Sequence, residues 1–182
     1  MQGLSYIPHL AEWAMDYSIE RIGPYIREVS VKNSDLAIKR LLGVSIEKKF
    51  IPSRANIIGT DMSSYKVVKK GQFAYGPVTS RNGDKISIAL LEVEACIVSS
   101  SYTVFEVVDQ SRIFPLFLML WFSRPEFDRY ARFMSHGSVR EIFGWKEMCD
   151  VELPLPSIEV QRAIALGEKF VRKHRQDSMI GD

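Results

Sequence analysis

The sequence predicts an α+β fold in which the strands come first and the helices gather towards the C-terminus. Three observations carry that prediction. Short runs rich in β-branched and aromatic residues recur up to about residue 108. Asn82-Gly83 is the strongest hairpin signal in the chain, because both central residues of a type I′ turn need positive φ. From residue 111 onward apolar residues fall at helical spacing, and the elements do not alternate as a regular βαβ array.

Composition bounds the answer further. The 182 residues are 46% hydrophobic, 25% charged and 11% aromatic, which suits one folded domain plus an appendage. Cys96 and Cys149 lie far apart, in no CxxC pair and near no histidine at ligand spacing. A disulfide framework and a zinc site are therefore disfavoured, and two buried thiols in a reducing compartment are expected. The N-terminus lacks the basic region and apolar core of a signal peptide, and the longest apolar run (residues 113–122) is broken by Pro115. A soluble, cytoplasmic chain with no membrane partner is expected.

The elements follow in order. Residues 1–19 are weakly helical, with Leu10, Trp13, Ala14 and Tyr17 at helical spacing, and predict a short packing helix before Gly23-Pro24. Residues 25–31 and 42–46 read as strands, and residues 47–56 as a loop carrying Lys48, Lys49, Arg54 and Asn56. Residues 65–70 and the alternating Phe73 and Tyr75 come next, followed by a return strand carrying Ile86, Ile88 and Leu90. The hairpin between them presents Thr79, Ser80, Arg81, Asn82 and Lys85 at or near its tip. Residues 96–100 and 102–108 complete a sheet. A helix with Pro115 near its start follows, then Ser123, Arg124, Pro125 and Glu126 in the form of a capping box. That box opens a helix to about Met134, with Phe127, Tyr130, Ala131 and Met134 on one face, broken by residues 135–138. A helical turn at residues 144–149 leads into a strand at residues 151–155, which Pro154 and Pro156 should stop. Ser157 can cap a last helix from Ile158 to about His174. Its stripe of Val160, Ala163, Ile164, Gly167, Phe170, Val171 and His174 should either meet a partner helix or fold back on the domain.

Net charge is only +2, yet the charges segregate. Residues 32–85 hold eleven Lys/Arg against four Asp/Glu, and residues 86–110 hold four acids and no base. Residues 111–140 hold five arginines against two acids, and residues 141–159 swing back to −4. A basic face from the first half, joined by Arg124, Arg129, Arg132 and Arg140, could follow a phosphate backbone. Base readout would need Arg, Asn, Gln or Ser/Thr side chains on groove-entering loops. The loops at residues 54–56, 79–85 and 135–140 carry those types. The opposing reading is a set of unrelated solvated faces.

Enzyme signatures are missing. There is no phosphate-binding glycine loop, GxSxG elbow, HExxH helix or Asn/Asp-Pro-Pro-aromatic motif, and His9, His136 and His174 are scattered. A binding module is the better reading.

Residues 151–161, Val-Glu-Leu-Pro-Leu-Pro-Ser-Ile-Glu-Val-Gln, resemble the strand-to-helix joint of type I restriction-modification specificity subunits. In that family a run of the form Ile-Pro-Leu-Pro-Pro-Leu-x-x-Gln ends a target recognition domain and begins a spacer helix. Residues 69–75 resemble the family's segment ending in Gly-Asp plus an apolar strand, with Gly71-Gln72 in place of Gly-Asp. Residues 95–107 resemble its buried-strand region, residues 117–133 its paired helices, and residues 137–140 its Gly-Ser/Thr loop. The likeness covers roughly residues 22–165.

The resemblance implies a non-catalytic DNA specificity subunit. Residues 1–156 would form a target recognition domain and residues 157–182 a spacer or dimerisation helix, which looks short. One recognition domain stands where the family has two, so a half-size subunit that dimerises and a truncated one are both open. The chain would read one half of a bipartite sequence in double-stranded DNA. Methylation subunits would dock on it and bring S-adenosylmethionine; the restriction subunit would bring ATP and magnesium; this chain would bind no cofactor or metal itself. Residue type and loop position assign Arg54, Asn56, Arg81 and Asn82 to base edges, and Lys48, Lys49, Lys85 and Arg140 to phosphates. Val160, Ile164, Gly167 and Val171 are assigned to a partner helix, including that of a homodimer. The alternative is a protein-interaction scaffold that occupies methylation subunits without directing them to DNA. An unrecognised nuclease or methyltransferase is a third reading.

Overall fold

The computed structural model describes residues 17–53, 59–80, 82–137 and 140–180, with the side chains of residues 172–180 left aside. Ten strands and four α-helices are described. They are β1 (Tyr17–Arg21), β2 (Ile26–Val29), β3 (Leu42–Val44), β4 (Phe50–Pro52), β5 (Lys66–Val68), β6 (Phe73–Tyr75), β7 (Ile88–Leu90), β8 (Cys96–Val98), β9 (Thr103–Val107), α1 (Pro115–Phe122), α2 (Pro125–Phe133), α3 (Trp145–Cys149), β10 (Glu152–Pro156) and α4 (Ile158–Ile180). The α+β class expected from the sequence is the class observed.

A four-stranded antiparallel sheet, ordered β2-β9-β6-β7, forms the centre. Both of its faces are covered, which is why strict polar alternation is absent from its middle strands. On one face Phe73, Tyr75, Ile88, Phe105 and Val107 pack against Leu118, Phe122 and Phe127 of the helices and against Phe143 of the following loop. Phe73 stacks on Phe105 with ring centroids 4.7 Å apart. On the other face the small Ala74 and Ala89, with Val104, meet the β3–β4 and β5–β8 pairs through Leu42, Val44, Val68, Cys96 and Val98. Small residues facing the strand pairs and aromatic ones facing the helices let one short strand serve two cores.

Several expectations are corrected. Residues 17–21 form a strand, not the end of a helix, because β1 pairs antiparallel along the whole of β10; residues 1–16 lie outside the described residues. Of the two prolines, Pro154 does not stop β10, which ends at Pro156. They sit at alternate register positions, opposite Ile19 and Tyr17, where an antiparallel pair exchanges no N–H bonds. Residues 47–56 are not one loop, since Phe50–Pro52 pairs back on β3. Ser123 closes α1 as its C-cap and does not cap α2. Arg124 is the N-cap of α2, while the Ser123 hydroxyl donates to the Met119 carbonyl at 2.8 Å. Pro115 and Pro125 do lie in the first turns of α1 and α2. Cys96 is buried as expected, but Cys149 is only half-buried.

The joint after β10 is built from two side chains. Ser157 accepts the Val160 N–H at 3.4 Å. Gln161 is fully buried: its Oε1 accepts the Phe114 N–H at 2.9 Å, and its Nε2 donates to the carbonyls of Arg112 and Pro156 at 2.8 and 2.9 Å. The first turns of α4 therefore belong to the domain, with Ala165 in its core. Helix α4 continues past His174 to Ile180. None of the helices among the described residues is long and apolar enough to cross a membrane.

Candidate nucleic-acid interface

The β6–β7 hairpin is the centre of the candidate site. Its strands pair Phe73 with Leu90 and Tyr75 with Ile88, leaving residues 76–87 as the connection. The tight two-residue type I′ turn expected at Asn82-Gly83 is not formed. Only Gly83 of that pair has positive φ, at +66°. Asn82 donates its N–H to the Thr79 carbonyl at 3.0 Å and accepts from the Lys85 N–H at 3.4 Å, so two successive turns shape a broad tip. A broad tip presents more side chains to a partner than a tight one.

The loop at residues 135–142 is fastened to that tip by Thr79. The buried Thr79 donates its N–H to the Glu141 carbonyl at 3.0 Å, and its hydroxyl lies 2.8 Å from the Ser135 hydroxyl. Val78 and His136 both bridge to Ile142. Gly137, with φ +130°, lets the chain fold onto itself: a Cβ there would lie 2.2 Å from the Arg140 carbonyl oxygen.

The β3–β4 turn is fastened from the other side by Lys48. Its ammonium lies 2.5 Å from Asp128 of α2 and 2.6 Å from the Ile86 carbonyl. Asp128 in turn accepts the Ile86 N–H at 3.1 Å. The ion pair is nearly enclosed, with side-chain exposures of 10% and 12%. Burial pulls the Lys48 ammonium below the ordinary lysine range, and the bond to Asp128 opposes that pull.

These contacts bring the β3–β4 turn and two of the three expected loops, residues 79–85 and 135–140, together around one hairpin, while the third, residues 54–56, lies outside the described residues; they also revise individual residues. Lys48, assigned to a phosphate, is nearly enclosed and gives two of its three ammonium donors to Asp128 and the Ile86 carbonyl. Lys49 and Arg140 are exposed. Lys85 is half-exposed and lies 3.8 Å from Glu47. Asn82 is partly buried at the tip. Arg54, Asn56 and Arg81 lie outside the described residues. Three of the four arginines of the expected basic face are not bare. Arg124 and Arg129 pair with Glu126, Arg132 pairs with Glu141, and Arg124 also lies over the Trp121 ring at 4.5 Å. A cleft of about 560 Å³ between the β3–β4 turn, the hairpin and α2 is lined by Lys48, Lys49, Lys85 and Arg129, but equally by Glu47, Asp84, Glu92 and Asp128. Sequence reasoning missed Asp128, which stands 80 residues from Lys48 and carries no local signal.

The helix stripe lies elsewhere. Helix α4 packs on the domain through Gln161 and Ala165, while Ile164, Phe170 and Val171 stay exposed. Val160 and Ile164 line an apolar groove of about 480 Å³ with Tyr17, Trp121, Pro154 and Pro156. Gly167, the fourth residue assigned to a partner helix, is also exposed. Among the described residues there is no cluster of His, Cys, Asp and Glu able to hold a metal ion.

No protein-family model matches the chain, and no curated protein does. Solved structures do match. The S subunit of a type I restriction-modification system from M. genitalium aligns with TM-score 0.57 and 13% identity, over 94% of this chain and 46% of that one. The HsdS subunit from Thermoanaerobacter tengcongensis aligns with TM-score 0.52 and 14% identity, over 96% and 40%. A chain from a structure of a type I restriction-modification system, concerned with its complex assembly and conformational transition, gives 0.54 and 14%, over 88% and 39%. This chain thus spans less than half the length of each. It has an S-subunit-like fold.

Proposed function

We propose that this chain is a non-catalytic DNA-recognition module that reads one half of a bipartite target for a type I restriction-modification complex. The observation that supports it most is that the S-subunit-like fold extends over nearly the whole chain. The hairpin cluster is consistent with this role. It collects exposed Lys49 and Arg140 and half-exposed Lys85 around a fastened tip, as phosphate contacts that set register should be. Base readout then falls to Asn82 at the tip and to Arg54, Asn56 and Arg81. The acids lining the cleft would repel a phosphate placed inside it, so backbone contacts belong to its outer edge.

In this reading residues 1–156 are the recognition domain and residues 157–182 the spacer. The exposed apolar residues of α4 are where a methylation subunit, or a second copy of the chain, would pack. S-adenosylmethionine, ATP and magnesium belong to partner subunits, and the complex works in the cytoplasm on double-stranded DNA.

The test is selection from a pool of randomised duplexes, with sequencing of the retained fraction, for the chain alone and with a methylation subunit. An enriched short motif is expected. A pool that stays random in both experiments, with the methylation subunit still bound, would favour a scaffold that holds partners without directing them.

A further inference from the structure

We infer that Lys48 and Asp128 form a positioning strut that sets the β3–β4 turn and the β6–β7 hairpin in one fixed relation, and so sets the accuracy of base readout without touching DNA. The inference rests on the DNA-recognition reading given above. Three contacts converge on one point: the Lys48 ammonium with the Asp128 carboxylate, the same ammonium with the Ile86 carbonyl, and the Asp128 carboxylate with the Ile86 N–H. They tie three elements distant in sequence. Ile86 begins the return arm of the hairpin, one residue after Lys85. Lys48 closes the turn that carries Lys49. Asp128 sits on α2, whose Phe127 is locked in the aromatic core against Phe122 and Phe143. Both loops are thus referenced to the buried aromatic core.

The backbone at Lys48 argues that its side chain is the reason for the residue. Ser45 accepts the Lys48 N–H at 3.1 Å and donates to the Lys49 carbonyl at 2.9 Å. Lys48 itself has φ +60°. This is a tight turn closed by a left-handed residue, a position that glycine fills best. Lysine bears strain there, and what it supplies in exchange is an ammonium that reaches across the cleft. A surface phosphate contact would not need this position, because exposed Lys49 is adjacent.

The consequence separates two kinds of loss. A lysine bound to phosphate contributes equally to every sequence and raises the salt dependence of binding. A strut contributes only where loop geometry matters, at the bases. Removing Asp128 is the sharper case. On electrostatic grounds alone, loss of an acid beside a DNA-binding loop should tighten binding.

The experiment uses the full chain and three variants. Asp128→Asn keeps shape and the acceptor for the Ile86 N–H. Lys48→Gly removes the ammonium while relieving the backbone, so that folding is retained. Lys48→Met/Asp128→Leu leaves no charge buried alone. Affinity is measured on the duplex selected from the random pool and on a base-scrambled duplex across a salt series. The strut predicts at least about a tenfold loss on the selected duplex in all three, a change under about twofold on the scrambled one, and an unchanged salt slope. Equal losses on both duplexes, with the slope of Lys48→Gly lower by about one, would make Lys48 a phosphate contact and overturn the inference. Tighter binding by Asp128→Asn to both duplexes would also overturn it. Amide exchange at Ile86, followed without DNA, tells the two failures apart. Faster exchange in Lys48→Gly together with selection of no motif removes the DNA reading and with it the purpose of the strut. A selected motif bound unchanged by Asp128→Asn removes the strut alone.

Discussion

The Gln161 side chain accepts the Phe114 N–H at 2.9 Å from a fully buried position, and so ties the first turn of α4 to the start of α1. Phe114 is the N-cap of α1 and has no side-chain cap of its own. Gln161 therefore satisfies a donor at a helix start while its amide nitrogen holds the carbonyls of Arg112 and Pro156. Gln161→Leu leaves those groups without partners and should cost about 1–3 kcal/mol, read as a fall of several degrees in Tm. Gln161→Glu should be worse near neutral pH than in mild acid, since a carboxylate there would face two carbonyl oxygens. An unchanged Tm for both variants would mean that the joint is held by packing alone.

Gly137 makes a second prediction. Its φ of +130° and the closeness of the Arg140 carbonyl leave no room for a side chain. Gly137→Ala should displace the loop bearing Arg140 while leaving the core intact. Far-UV circular dichroism should stay unchanged and affinity for the selected duplex should fall. Unchanged affinity would place that loop away from the DNA.

A third prediction concerns acid. Glu106 accepts from Gln72 Nε2 at 2.8 Å and pairs with Arg27 at 2.5 Å. The bond from Gln72 first, and that from Arg27 second, hold its carboxyl below the usual glutamate range. A carboxyl depressed in the folded state stabilises fully above its unfolded pKa of about 4.3, and that contribution is lost as pH falls through the lower folded value. Denaturant titrations from pH 7 downward should therefore show stability falling below about pH 5. Glu106→Gln should have a shallower fall over the same window. Parallel curves would remove Glu106 from the acid response.

Lys49, Lys85 and Arg140 supply a fourth. Each changed singly to Ala should lower the slope of log affinity against log salt by about one and weaken all sequences alike. Arg81→Ala should instead lose mainly on the selected duplex. Equal losses on selected and scrambled duplexes would make Arg81 a phosphate contact as well.

Much of the fold could be read from local chemistry. Cores of the strands at Val29, Val44, Val67, Tyr75, Ile88, Ile97 and Phe105 follow β-branched and aromatic runs, and Pro115 and Pro125 mark helix starts correctly. What local chemistry missed is pairing between distant segments. Tyr17–Arg21 has no strand signal of its own and becomes a strand because β10 lies beside it. Pro154 and Pro156 read as breakers, but register places them where no N–H is needed. Asn82-Gly83 signals a tight turn, yet Thr79 is already bonded to Glu141 and holds the connection open. The candidate site shows the same division. Residue type alone picks out the loops at residues 79–85 and 135–140, whereas nothing local marks Lys48, whose surroundings are set by Asp128 and the Ile86 backbone. Gln72, standing where an aspartate is commoner in the resembling family, proves to be a buried bridge from the Lys69 N–H to Glu106.

The central claim is that this chain distinguishes one base sequence from another. The most direct measurement is the ratio of dissociation constants for the selected duplex and for one carrying three wrong base pairs, at one fixed salt concentration. Each wrong pair costs about 1–3 kcal/mol, so the account predicts a ratio of at least about a hundredfold. Equal affinities for the two duplexes, with or without a methylation subunit, would contradict it.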